Sequence, residues 1–223
     1  MSKVRPLVWE TIDAVLLDMD GTLLDLHFDS HFWLEHLPLR YAERHGLTLD
    51  GARQRLTPML RAAEGTLAWY CLDHWTRELG IDVAELKHEV EHLVSLRPHA
   101  LEFLASLRRH GKRTVLVTNA HARSLSLKLR RTGLDALLDA IVCAHDLGYA
   151  KEEVAFWHAL QNVEPFAPAT TLLIDDNLAA LRSARAYGIR HLNGIRQPDS
   201  RRPPRDTEEF PALESFLDIM PAG

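Results

Sequence analysis

Two aspartates, Asp18 and Asp20, stand one residue apart at the end of the apolar stretch LLDMDGTLLD (16–25), and the chain then meets Gly21. Charge is costly at the end of a buried strand unless something holds it there. Residues two apart in an extended strand point to the same side, so both carboxylates can converge on one small volume. Two other apolar runs also end on polar residues. RTVLVTN (113–119) ends on Thr118 and Asn119, and TTLLIDDN (170–177) ends on Asp175 and Asp176 before Asn177. Four carboxylates meeting at one edge repel each other unless a cation lies among them. Oxygen ligands suit a hard ion, so magnesium is expected. A metal held by carboxylates invites a phosphate. Backbone N–H groups of the turn Met19-Asp20-Gly21 and of the helix start after Asn119 can donate to it, as can the Thr118 hydroxyl. Lys151, in GYAKEE, adds a point charge for phosphate and partly balances the acids.

These residues need elements that bring them to one edge. AVLLDMD (14–20), RTVLVTN, DAIVCA (139–144), TTLLIDDN and RHLNGI (190–195) read as buried strands. Helical patterns lie between them: 101–111 and 121–133, each closed by a glycine, 153–163, and 177–188 with Asn177 as N-cap. Continuously apolar strands alternating with helices predict an α/β fold, a Rossmann-like parallel sheet with helices on both faces. In open parallel sheets, ligands bind beyond the carboxyl ends of the strands, which is where the acids fall. Residues 26 to 97 break the alternation. Helical segments are expected at 30–46, 51–65, 66–80 and 82–94, the last with Asp82 and Glu85 as a capping box. The expected organisation is a core of residues 1–25 and 98–223 with an α-helical domain, 26–97, inserted after the first strand. The Pro- and charge-rich stretch 196–210 reads as a solvated loop before a last short helix.

The 223 residues are 46% hydrophobic and 26% charged, enough for a sizeable core. A net charge of −5 argues against a general binder of nucleic acid polymers or anionic membranes. MSKVRPLVWE has no apolar signal core and no run reaches membrane-spanning length, so a cytoplasmic protein is expected. Cys71 and Cys143 are too few for a disulfide framework.

DMDGT (18–22), VLVTN (115–119), Lys151 in GYAKE and LLIDDN (172–177) resemble, in order and spacing, the four motifs of the haloacid dehalogenase superfamily. The insert resembles the cap that many members carry between the first two motifs. WYCLDHW (69–75), TNAH (118–121), TGLDALLD (132–139), GYAKE (148–152) and YGIR…PDS (187–200) extend the resemblance to the bacterial GMP/IMP nucleotidase group. The resemblance implies a magnesium-dependent phosphomonoesterase acting on a nucleoside 5'-monophosphate. Asp18 would be the nucleophile that forms an aspartyl-phosphate, and Asp20 the acid and then base. Asp18, the Asp20 carbonyl, Asp176 and Asp175 (directly or through water) would hold Mg2+. Thr118, Asn119 and Lys151 would hold the phosphoryl group. Dehalogenases of the superfamily lack an acid at the position of Asp20, so its presence favours phosphate chemistry. A small phosphate ester such as phosphoglycolate or a sugar phosphate is the alternative substrate, and mutases share the same core.

Substrate choice is expected in the insert. Phe28, Phe32, Trp33, Trp69, Tyr70 and Trp75 are candidates for stacking a purine, with Phe28 and Phe32 nearest the nucleophile, and Arg40, Arg44 and Arg61 could read a base edge. HEVEH (88–92) formally matches the zinc-protease motif, with His88 and His92 on one helical face and Glu89 as base. Among 13 histidines and 31 acidic residues such a match arises readily by chance, and no third ligand follows at a specific spacing.

Overall fold

The computed structural model describes residues 7–221, so the first six residues of the N-terminal stretch lie outside it. Six strands form one sheet: β1 Ala14–Leu17, β2 Arg113–Thr118, β3 Ala140–Cys143, β4 Thr171–Asp175, β5 His191–Ile195 and β6 Ala212–Leu213. Their order is β3-β2-β1-β4-β5-β6, and every pairing is parallel. Both faces are covered. Val15 and Leu17 pack into a cluster with Phe103, Leu107 and Phe216, whereas Leu16 packs into another with Phe156, Trp157 and Leu181. That alternation along a strand with two buried faces explains why its sequence is continuously apolar.

Register sets the site. Leu17 lies opposite both Leu116 and Ile174, so Asp18 and Asp175 leave the sheet level with each other. β1 ends at Leu17, sooner than the stretch 14–20 suggests. The Met19 carbonyl accepts from the N–H groups of Leu23 and Leu24, which curls the chain over the strand end. Gly21 donates to the Leu24 carbonyl at 2.8 Å, so its N–H is engaged within the turn.

Between β1 and β2 the described residues are helical and have their own apolar cluster, including Phe28, Phe32, Leu37, Trp75 and Val83. Three details differ from the pattern reading. The first helix begins at His27 and runs to His45 through a π-helical turn, Phe32–His36. Pro38 lies just beyond and cannot donate to the preceding turn, and a wider turn accommodates such a missing bond. The segment 66–80 divides at Cys71, which is extended (φ −83, ψ 107) and whose Sγ accepts from the His74 N–H of the next helix. The segment 82–94 is α-helical only over Val83–Glu89, with Asp82 accepting from the Ala84 and Glu85 N–H groups. A separate 3-10 turn, Glu91–Leu93, follows. HEVEH therefore straddles a break. His88 pairs with Glu91 and Glu89 with Arg40 and His36, so the zinc reading fails.

The tail is more than a solvated loop. The Pro198 carbonyl accepts from the Leu26 N–H, while Asp199, Thr207 and Phe210 are buried. β6, only two residues long and directly behind Pro211, has no periodicity to betray it. No described helix is long and apolar enough to cross a membrane.

Candidate active site

Lys151 is the hinge of the acidic edge. It is 2% exposed, and its Nζ donates to Asp18 Oδ1 at 2.6 Å and to Asp175 Oδ2 at 2.7 Å. Asp175 Oδ1 accepts from the Asn177 N–H at 2.8 Å. Asp176 stands beside them and pairs with Arg205, whose Nη2 lies 3.0 Å from Oδ2. Carboxylate oxygens of Asp18, Asp175 and Asp176 all fall within 4.8 Å of one another. Asp18 Oδ2 is buried and makes no hydrogen bond.

So dense a cluster perturbs its members. Burial raises Asp18 to about 6, against the pull of Lys151, and the nearby Asp175 adds to the rise. Asp175 is raised by burial as well. Asp176 goes well above the ordinary carboxylate value, through burial first and then repulsion from Asp18 and Asp175. Burial opposes the Lys151 ammonium, yet Asp175 and Asp18 hold its pKa above that of an ordinary lysine. Three acids with an orphaned buried oxygen have more negative charge than Lys151 and Arg205 offset. An all-oxygen donor set of this kind fits a hard divalent cation.

The Asp20 side chain lies apart from this group. Its Oδ1 is 2.7 Å from Lys128 Nζ, and burial raises it to about 6 despite that partner. Thr118 Oγ1 accepts from the Ala120 N–H at 3.0 Å, so that N–H is engaged while the hydroxyl can still donate. Both ends of the Asn119 amide are committed. Oδ1 accepts from the Lys151 N–H at 3.0 Å, and Nδ2 donates to Glu152 Oε2 at 2.8 Å. Asn119 thus positions the lysine loop. Glu152 goes further: it also accepts from Tyr70 Oη at 2.6 Å and from Asn177 Nδ2 at 2.8 Å. It ties the loops after β2, β3 and β4 to the insert. The sequence reading missed Glu152, although its place next to Lys151 was a signal. Lys87, Asp29 and Arg205 were missed as well, since each reads as an ordinary surface charge.

A family model for haloacid dehalogenase-like hydrolases matches residues 12–188. The chain belongs to the haloacid dehalogenase-like hydrolases. Over 216 residues it is 38% identical to the GMP/IMP nucleotidase YrfG of Escherichia coli (strain K12) and, at the same identity, to that of Shigella flexneri, covering 97% of this chain and of each relative. A HAD phosphatase from Thermococcus onnurineus has the same fold, with a TM-score of 0.77, 21% identity, and coverage of 93% of this chain and 95% of that one. CbbY from Rhodobacter sphaeroides, solved with phosphate, superposes with a TM-score of 0.64 and 18% identity over 92% and 95% of the chains.

In this haloacid dehalogenase-like enzyme the acidic edge opens into a cavity of 680 Å³ between the strand ends and the insert. Asp18, Asp20, Thr118 and Lys151 line its floor, and Trp33, Trp69 and Tyr70 line the insert side. The Trp33 and Trp69 rings are near parallel, 22° apart, with centroids at 6.3 Å. Phe28 and Phe32, the aromatic residues expected nearest the substrate, instead belong to the insert core. They are 1% and 0% exposed and lie under Lys87 Nζ, at 4.8 and 4.6 Å from the ring centroids. Trp75 is core too. Arg40 is held outside by Glu43 and Glu89, and neither it nor Arg44 nor Arg61 lines the cavity.

Proposed function

We propose that this haloacid dehalogenase-like phosphatase hydrolyses a purine nucleoside 5'-monophosphate of the GMP and IMP kind through an aspartyl-phosphate on Asp18. The observation that carries the reading is the Asp18 carboxylate. Lys151 fixes Oδ1, while Oδ2 is buried, unpartnered and on the cavity floor. An oxygen so placed is a nucleophile awaiting phosphorus. Oδ2 attacks, the ester P–O bond breaks, and Asp20 gives its proton to the departing oxygen. Asp20 then takes a proton from the water that cleaves the aspartyl-phosphate. Lys151 and the Thr118 hydroxyl hold the phosphoryl oxygens as charge gathers on them. Asp18, the Asp20 carbonyl and Asp176 would hold Mg2+. Asp175, whose oxygens also accept from Lys151 and Asn177, would hold it directly or through water. Bound there, the ion supplies charge stabilisation for the transferring phosphoryl group.

The helical insert, residues 26–97, serves as the cap over the core of residues 1–25 and 98–223. Trp33 and Trp69 offer a purine two aromatic faces. Charge matching supports a nucleoside over a second anionic group. Lys87 faces Asp29, Lys128 faces Asp20 and Asp29, Arg182 faces Glu208 and Glu209, and Arg205 faces Asp176. No cation is left over among these for the carboxylate of phosphoglycolate or the second phosphate of a mutase substrate. The test is a comparison of kcat/KM for GMP, IMP, AMP, UMP and phosphoglycolate with magnesium. GMP and IMP should lead by about tenfold or more, the scale of one differential hydrogen bond. A flat ranking, or phosphoglycolate in front, would overturn the purine assignment.

A further inference from the structure

Lys128, on the helix Ala122–Thr132, takes no part in the chemistry above, yet it is 2% exposed and touches the acid that the chemistry needs. Its Nζ lies 2.7 Å from Asp20 Oδ1 and 2.7 Å from Asp29 Oδ2. The other Asp29 oxygen takes Lys87 at 2.6 Å. Four side chains thus alternate, Asp20, Lys128, Asp29 and Lys87, and sum to zero charge once Asp20 has given up its proton. Lys128 comes from the core, whereas Asp29 and Lys87 come from insert helices. A buried lysine clamped at its tip by two carboxylates has little freedom left, and so neither has the carboxylate it touches. Asp20 Oδ1 is buried and makes no properly angled hydrogen bond, so its 2.7 Å contact with Lys128 fixes its place, with the carboxyl protonated or ionised.

We propose that Lys128 is a positioning residue for leaving-group protonation. With Oδ1 held against Lys128, Oδ2 of Asp20 is left to meet the ester oxygen. As the Asp18 Oδ2–P bond forms and the ester P–O bond breaks, the proton on Asp20 moves to the departing oxygen. The carboxylate so produced stays paired with Lys128. Asp29 and Lys87 extend this hold into the insert, so Asp20 is aligned when the insert sits on the core. The inference rests on the reading of Asp20 as the acid.

The experiment compares kcat/KM on IMP and on p-nitrophenyl phosphate for wild type, Lys128→Gln and the double variant Lys128→Gln with Asp29→Asn. That ratio covers steps up to transfer onto Asp18. A nucleoside alkoxide needs a proton to leave, whereas p-nitrophenolate does not. Both variants should lose about 100-fold or more on IMP and stay within about threefold on p-nitrophenyl phosphate, the low end of what general acid catalysis supplies. The double variant removes one charge of each sign, leaves the net charge of the site unchanged and carries the test where the single variant does not fold. Equal losses on both esters, or no loss on either, would overturn the proposal. If wild type does not turn over IMP, the nucleotide reading alone fails, and the same split is read on ribose 5-phosphate.

Discussion

Gly21 shows how little slack surrounds the acids. It sits at φ +87, and an added Cβ would lie 2.7 Å from Asp176 Cγ and 2.9 Å from Pro198 Cβ. Side chains at positive φ are strained in any case, so this position couples the turn after β1 to the acidic cluster and to the tail at once. Under the proposed function, Trp33 and Trp69 would act on a different term, the hold on the base. Base stacking on an aromatic side chain contributes about 1–3 kcal/mol, so Trp33→Ala or Trp69→Ala should raise KM for IMP by roughly 5- to 150-fold. Turnover of p-nitrophenyl phosphate, which has no purine, should change little. Steady-state kinetics on the two substrates decides the point, and parallel losses would return both rings to the insert core. Asp18, Asp20, Asp175 and Asp176 stood out in the sequence because a carboxylate at the end of an apolar run contradicts its surroundings, whereas Thr118 and Lys151 stood out by the strands they end or follow. Lys87, Asp29 and Lys128 contradict nothing locally. Lys87 and Lys128 sit in helical patterns where charges are ordinary, Asp29 just ahead of one, and only tertiary packing takes them largely out of solvent.

Helices of the insert are joined to the core through such charges. Asp29 belongs to the helix His27–His31, Lys87 to Val83–Glu89 and Lys128 to Ala122–Thr132. Burial alone would raise the Asp29 pKa, but Lys128 and Lys87 more than offset it and hold it below the ordinary carboxylate range, with Asp20 the nearby like charge. Removing one partner from a buried ion pair costs about 3–5 kcal/mol, so Asp29→Asn should lower the urea midpoint by that equivalent at pH 7. Because the folded-state pKa lies below the unfolded one, the contribution is whole above about pH 4 and fades as pH falls through the folded value. The gap between wild type and Asp29→Asn should thus be constant from about pH 8 to 5 and narrow below about 4. A gap that is absent at pH 7 would show the three helices to be held by apolar packing alone. Alternation of strands and helices was readable because buried parallel strands leave unbroken apolar runs. The division at Cys71 and the π turn at Phe32–His36 were not, since helical periodicity survives a one-residue break or one extra residue in a turn.

Sheet, insert and tail meet at the place where negative charge is in excess. Strand ends bring Asp18 and Asp175 level, the insert closes over them, and the tail delivers Arg205 to Asp176. The tail's part was hidden because a Pro- and charge-rich stretch has the composition of a solvated loop whether or not it folds back. Without a divalent cation, the raised pKa values of Asp18, Asp175 and Asp176 mean that folding buries carboxylates at a cost, to which repulsion adds at Asp18 and Asp176. A cation that binds only the folded chain therefore stabilises the whole molecule. At 100 times its dissociation constant the gain is about 2.7 kcal/mol, or roughly 5–10 °C in melting temperature for a chain of this size. Magnesium added to the chelator-treated protein should produce that rise without any substrate present. Asp176→Asn should melt at or above the metal-free wild type, because it removes the cost of a buried carboxylate and its repulsion from Asp18 and Asp175, and should respond weakly to magnesium. A melting temperature indifferent to magnesium in the wild type, or an equal rise in the variant, would place the ion elsewhere and leave the acidic edge without its partner.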